Sequence, residues 1–385
     1  MVLRRLRKRA FSILFLTFLC GVLSLLPAVV RAQTWKWTTE TIDYAGDSSS
    51  LAIDRDKNLH VSYHAALEGQ LKYAFRPANS TKWYTMTLDS GIGGFSTGIA
   101  IDKNNNPGIC YSPRILKFAR WNGQRWLVQE ISPGGGLISY TCSVIFGPDG
   151  EPRVSWYVES GTYFRYAVLK DGAWEAQTLE SGGLPGKWNT MVLDSKGNPH
   201  LSYNHFPPGS QRYIYFDGKN WNRSVLDSLD TSPPGGERGM GNSIVLDRAG
   251  NPLISYYSVD SLRLARFANG KWKIETVQDL PSFGNWGWKD FRSTIVLDSH
   301  GRPHIGFESL LGLEHTWWDG QQWQTQLIVS SPGRAFFDNS LVMDSNDVLY
   351  IAYTDPVDHS LKLVTGRPAQ VEQTARTSAN PRDKN

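Results

Sequence analysis

The chain has 385 residues, forty Lys and Arg against thirty-six Asp and Glu, and an aromatic complement of fifteen Trp, sixteen Tyr and sixteen Phe with thirty-six Gly. Its formal charge of +4 is local, because six of the bases and no acid precede Gln33, so the remainder (34 bases, 36 acids) lacks the basic stripe of a nucleic-acid binder. Beyond Cys20 in the leading apolar run there are only Cys110 and Cys142, which excludes a zinc cluster; at β-core positions they read as small buried residues, with a disulfide as the alternative that export would permit.

Residues 1–32 carry a basic cluster (Arg4, Arg5, Arg7, Lys8, Arg9), an apolar run from Ala10 to Val30 and a small-x-small site ending at Ala32. That is the pattern of a secretory signal peptide, read here as a Sec leader in preference to a twin-arginine signal or an uncleaved anchor. The expected product starts at Gln33, is secreted or periplasmic, and has no membrane attachment after cleavage.

Next comes an isolated strand pattern, WKWTTETI from Trp35 to Ile42. A repeat follows. Strands ending in an anchor residue recur at Asp54, Asp102, Gly147, Asp194, Asp247, Asp298 and Asp344, spaced 45 to 53 residues, the period of four-stranded propeller blades. Six residues past each anchor a second strand begins (His60, Gly108, Arg153, His200, Leu253, His304, Tyr350) after a segment of turn formers, so each pair is a hairpin. Third strands such as LKYAF from Leu71 lead through Asp/Asn-Gly turns into fourth strands opening on Trp83, Trp126, Trp174, Trp221, Trp272 and Trp323. The last copy stops near Gly366 without a fourth strand, and Trp37 of the N-terminal strand holds the matching position. The expectation is an all-β, seven-bladed β-propeller over residues 33–366, its ring closed by the N-terminal strand so that no sheet edge stays open. Residues 367–385 have no apolar pattern and read as a disordered tail.

Strand alternation puts the short turns after strands one and three on one face and variable loops on the other, where a rigid repeat scaffold usually carries its specific contacts. The intervals from tryptophan to next anchor are longest, 26 residues, entering blades five and six. The candidate site is therefore Glu237 and Arg238 in one loop, Trp286, Trp288, Lys289, Asp290 and Arg292 in the other, with Tyr257, Glu308 and His205 at the ends of second strands. A tryptophan beside arginine and carboxylate suits a sugar. Packing of the long loop onto the disc is the bland alternative for Trp286 and Trp288.

Other features are read structurally. The aromatic ending each second strand (Tyr63, Tyr111, Trp156, Tyr203, Tyr256, Phe307, Tyr353) recurs in every blade and suits packing between blades. His60, His200 and His304 lie on nonadjacent blades, cannot converge on a metal, and read as turn residues. The anchor aspartates read as caps of their own turns.

Phe291-Arg292-Ser293-Thr294-Ile295-Val296-Leu297-Asp298 resembles the Phe-Arg-Ile-Pro strand of the sialidase-like bacterial propellers, in which the arginine binds the substrate carboxylate; here Ser293 and Thr294 replace Ile and Pro. Asp217-Gly218-Lys219-Asn220-Trp221 resembles a shortened Asp-box, and the first hairpins resemble NHL repeats. The resemblance implies a propeller fold and, residue for residue, a binding role for Arg292 only, since the further arginines and the Tyr-Glu pair of a sialidase have no counterparts.

No catalytic motif stands out. The favoured reading is an exported non-catalytic module with one asymmetric site for a glycan or an extracellular protein, needing neither cofactor nor metal, because the residue after strand two (His64, Ser112, Tyr157, Asn204, Tyr257, Glu308, Thr354) does not repeat as a multivalent lectin would require. The alternative is a polysaccharide-active enzyme: a hydrolase with Glu308 and Asp290 or Asp338 as acid and base, or a lyase with Tyr257 or His205 as base and Arg292 on a uronic carboxylate. A purely structural or assembly role is the third reading.

Overall fold

The structure is a computed structural model that describes residues 34–90, 96–112, 115–131, 138–158, 160–207, 209–228, 240–280, 291–332 and 339–369. The expected leader and most of the expected tail lie outside these residues. Seven four-stranded antiparallel sheets form the blades of a β-propeller. Their first, innermost strands are Asp47–Ile53, Thr97–Ile101, Ile138–Phe146, Leu184–Leu193, Met240–Leu246, Ser293–Leu297 and Ser340–Met343.

Blade 7 is completed as the repeat predicts. The N-terminal strand Trp35–Asp43 pairs antiparallel with Leu361–Pro368, with Trp37 opposite Gly366. A side chain at 366 would collide with the Trp37 ring, 2.5 Å from a Cβ built there, so the glycine lets the indole lie across the strand. The core sits between the faces of successive blades: Phe164 and Leu179 of blade 3, for example, pack on Leu201, Tyr203 and Ile214 of blade 4.

Two polar belts join the inner strands. An innermost strand is a sheet edge whose amides would go unpaired. The serine four positions before the anchor meets this need by accepting from an amide of the next blade: Ser50 from Ile99, Ser143 from Met191, Ser243 from Ile295 and Ser340 from Leu51, at 2.9 to 3.3 Å. The second belt links the position eight after one anchor to the position five before the next. Ser62 meets Thr97, Ser155 meets Asn189, Ser202 meets Asn242 and Ser255 meets Ser293, at 2.6 to 3.0 Å.

Cys110 and Cys142 hold those same two positions between blades 2 and 3, and they are bonded (S–S 2.06 Å, Cα–Cα 6.3 Å). The reading of two unlinked core cysteines is thereby corrected. Cysteines placed at paired positions of this belt face each other because the repeat brings those positions together at every seam.

The histidines are corrected too. His60, His200 and His304 are 3%, 8% and 2% exposed and open the second strands rather than the turns. His60 Nδ1 meets the Tyr73 hydroxyl at 2.7 Å, His200 Nδ1 meets Tyr213 at 2.6 Å, and His304 Nδ1 meets His315 Nε2 at 3.0 Å. Each Nε2 faces its own anchor aspartate, at 3.2, 3.9 and 3.6 Å. Burial, the largest influence, depresses the pKa of all three despite the nearby carboxylates.

Candidate functional site

The short-turn face is occupied by structural duties. Asp54 Oδ1 accepts from the amides of Asp56 and Asn58, and Asp102, Asp194, Asp247, Asp298 and Asp344 cap their own turns in the same way, with the first pair of bonds at 2.9 and 2.8 Å. A carboxylate accepting two backbone N–H groups holds the hairpin closed.

The aromatics ending the second strands are all at most 2% exposed, and four of them build a latch between blades. The Tyr63 hydroxyl donates to Asp43 at 2.6 Å, Tyr111 to Asp89 at 2.9 Å, Tyr203 to Glu180 and Tyr256 to Asp227 at 3.0 Å. Each acceptor comes from the outer strand of the preceding blade and also holds a cation: Lys72, Lys117, Arg212 or Arg263. Burial opposes ionisation of Asp43 and Asp89, but the lysine and tyrosine hydrogen bonds outweigh it and hold both carboxyls below their ordinary range.

The residues that follow these aromatics form a covered layer. His64, Ser112, Tyr157, Asn204, Tyr257, Glu308 and Thr354 are all 8% exposed or less. Tyr257 of blade 5 reaches across to blade 6, where its oxygen accepts from the Glu308 amide at 2.7 Å and faces the Glu308 and Arg292 carbonyls at 2.9 and 3.3 Å. Burial, then the Glu308 charge, raises its pKa well above that of an ordinary phenol. Glu308 Oε1 accepts from Asn339 Nδ2 at 3.1 Å, and that amide nitrogen also donates to the Arg292 carbonyl at 2.6 Å. Three sequence candidates, Tyr257, Glu308 and Arg292, are thus brought together, with the backbone carrying Arg292 clamped from both neighbouring blades. His205 stands apart on blade 4: its Nε2 is 3.0 Å from the Gly182 carbonyl and 3.7 Å from Glu180, and burial and then the Arg212 charge depress its pKa against the pull of Glu180. Glu237, Arg238, Trp286, Trp288, Lys289, Asp290 and Asp338 lie outside the described residues.

Arg292 lines an axial cavity of about 150 Å³, walled by first-strand residues from all seven blades. Small polar side chains such as Thr141, Asn189, Asn242 and Asn339 make up most of its wall, and one large aromatic, Trp188, joins them. Trp188 has no counterpart among the residues singled out by the sequence. It holds the position six before the anchor, as Gly241 and Arg292 do in the next two blades, on an irregular stretch where the register shifts between Lys187 and Thr190. Its φ is +48°, in the left-handed region that Gly241 shares at +49°. Such a conformation costs a bulky residue about 1–3 kcal/mol, and bulges that re-aim a side chain cluster at functional sites. Beside it Lys187 is buried, with Nζ 5.6 Å from the indole centroid. No carboxylate lines this cavity among the described residues, whereas an arginine does.

No protein-family model matches the chain, and a comparison with curated proteins finds no match. Solved structures share the fold. A polysaccharide lyase described as a PL25 ulvan lyase bound to -[GlcA(1-4)Rha3S]- superposes with a TM-score of 0.57 at 14% identity, covering 85% of this chain and 95% of its own. The polysaccharide lyase Uly1 gives 0.55 at 9% identity over 86% and 91%, and YCF48 bound to D1 peptide gives 0.54 at 14% over 86% and 96%. At these identities the likeness is one of fold, a seven-bladed β-propeller shared by proteins with different ligands.

Proposed function

We propose that this protein is an exported glycan-binding propeller whose single asymmetric site lies at the axial mouth on the variable-loop face and takes an acidic sugar. The observation that carries the reading is the pairing of Arg292 with a strained Trp188 on one cavity that, among the described residues, offers hydroxyls and amides and no carboxylate. The guanidinium holds a uronic or sulfate group through charge-assisted bonds, the indole covers an apolar sugar face, and the amides read hydroxyls. Two of the fold neighbours are described as polysaccharide lyases, one with an acidic disaccharide unit bound, which agrees with that ligand class.

The test is calorimetric titration of the protein from Gln33 onward with uronate and sulfated oligosaccharides. Loss of one charge-assisted contact weakens binding about tenfold or more, so Arg292→Ala lowers affinity at least that far while leaving the thermal midpoint near wild type, whereas Trp188→Ala, which empties a largely buried position, lowers affinity and stability together. Undiminished affinity in Arg292→Ala sinks the reading, and binding of peptides in place of acidic glycans replaces it with the protein-partner alternative.

A second reading, a polysaccharide lyase, draws on His205. Its depressed pKa keeps the imidazole neutral and able to accept a proton. Tyr257 suits that role less, because its hydroxyl is engaged by backbone on both sides. Glu308 serves to position Asn339 and the Arg292 backbone. Unsaturated product that disappears in His205→Ala but persists in Tyr257→Phe is the expected signature, and no product on any uronic polymer removes this reading.

A further inference from the structure

Away from the axis, on the short-turn side, a groove of about 440 Å³ runs between blades 1 and 2. Its floor is aromatic. Trp126 stands edge-on to Tyr73, with centroids 5.1 Å apart, and Trp121 tilts against Trp126 at 5.9 Å. Equivalent pairs recur at other seams, as where Trp221 meets Tyr166 and Trp272 meets Tyr213. The outer wall is peculiar to blade 1. There the third and fourth strands, Gln70–Arg76 and Tyr84–Ser90, are joined by seven residues instead of a tight Asp-Gly turn. Trp83 faces the preceding blade, as Trp221 does at its own seam, donating from Nε1 to Glu40 at 3.0 Å under the Arg76 guanidinium. Tyr84 and Met86 are left to edge the groove, 51% and 46% exposed.

The opposite lip is polar. The Asp56 carboxylate there holds Asn105 Nδ2 at 2.7 Å across the seam, beside Asn106. Among the described residues no Lys or Arg lines the groove, and two aspartates do, the reverse of the axial cavity. The volume falls in the range of small-ligand sites. Flat rings on one side and carboxylate and amide oxygens on the other match the apolar face and hydroxyl edge of a pyranose, while the absence of a cation disfavours an acidic one.

We infer that this groove is a second saccharide site, selective for a neutral pyranose, and independent of the axial site in position and charge preference.

The experiment uses the whole protein from Gln33 onward, titrated with neutral gluco-, galacto- and manno-oligosaccharides and, in parallel, with uronate oligosaccharides. Tyr84→Ala removes the exposed ring, and Met86→Arg, from the exposed position two residues on that faces the same side of the strand, places a cation in the groove. Neutral-sugar affinity is expected to fall about tenfold or more in both, as for loss of a central aromatic contact, and to be unchanged in Arg292→Ala. Failure of the axial reading shows in the uronate arm and leaves this arm unaffected. The inference is overturned if no neutral oligosaccharide binds the intact protein, if binding is indifferent to both Tyr84→Ala and Met86→Arg, or if the variants abolish binding of tetramethylammonium or a lysine-rich peptide in place of the sugar.

Discussion

The seam between blades 4 and 5 and the seam between blades 5 and 6 are built on one plan and finished differently. At the first, Tyr256 and Arg263 close on Asp227, the latch also seen at three other seams. At the second, Phe307 replaces the tyrosine, Glu314 stands where the cation would be, opposite Phe307 in register, and Gln278 takes the place of the acceptor acid. All three members change together, so the latch is replaced as a unit. Tyr257, one residue beyond Tyr256, ties this seam instead through the Glu308 and Arg292 backbone. The contrast teaches that the repeated seams hold the ring, whereas the seam that abandons the repeat positions Arg292 at the axial cavity.

The largest effect expected from breaking a seam is at blades 2 and 3. The disulfide closes a 32-residue span, worth about 3–4 kcal/mol by loop-closure entropy. Cys110→Ser with Cys142→Ser should lower stability by that order, measured by urea denaturation, whereas the polar pairs at neighbouring seams contribute about 1 kcal/mol each. A loss under 1 kcal/mol would mean that this seam is no stronger than its neighbours.

Gly241→Ala probes the axial side of the 5/6 seam. Its φ is +49° and a Cβ there would lie 1.8 Å from the Phe291 carbonyl oxygen, immediately before Arg292. Strain and overpacking together are expected to cost about 3 kcal/mol and to displace Arg292, so acidic-glycan affinity should fall with stability. Retained stability would show that the Arg292 backbone yields easily and that the clamp described for it is weak.

Tyr256→Phe is gentler. It removes the hydroxyl that donates to Asp227 and should cost about 1–2 kcal/mol, against no measurable effect on glycan binding. Tyr257→Phe should cost a similar amount but also weaken binding, because its hydroxyl holds the segment that carries Arg292. Equal binding in the two variants would erase the distinction drawn between the seams.

Much of this was legible in the strings ending in Asp. Their spacing predicts seven blades, the missing last strand predicts closure by Trp35–Asp43, and recurrence in every copy identifies the aromatics as packing. What stayed hidden depends on which residues face each other across a seam. Cys110 and Cys142 look isolated until the positions eight after and five before an anchor are known to touch. The histidines follow a turn in sequence, yet strand pairing turns them inward onto Tyr73, Tyr213 and His315. Trp188 escaped notice because NTMVLD was aligned from Asn189, and the bulge that reorients the tryptophan lies one residue earlier. Arg292 was placed in the candidate site by the long interval entering blade 6, and its resemblance to a sialidase strand added a binding role that periodicity could not supply.

The histidine columns allow the smallest and most specific test. His315 faces Gly306 in register, the position that Tyr73 and Tyr213 occupy opposite Ser62 and Ser202 in blades 1 and 4. It is buried among His304, Trp317 and the closing-strand tryptophans Trp35 and Trp37, and burial and then His304 push its pKa well below the ordinary 6.5. A histidine depressed in the folded state binds fewer protons than in the unfolded chain. Its contribution is therefore complete above pH 6.5 and is lost as pH falls below that value, at about 1.4 kcal/mol per unit of depression. Blade 6 stacks two such imidazoles directly on each other, with His304 and His315 centroids 5.2 Å apart, so its closure against the N-terminal strand should be acid-sensitive. His315→Tyr installs the blade 1 and 4 arrangement, and the difference in urea midpoint between pH 7.5 and pH 5.5, taken as about one unit either side of the ordinary histidine value, should shrink relative to wild type. An unchanged difference would assign the acid sensitivity to His60 and His200 and remove blade 6 from special standing in the pH response.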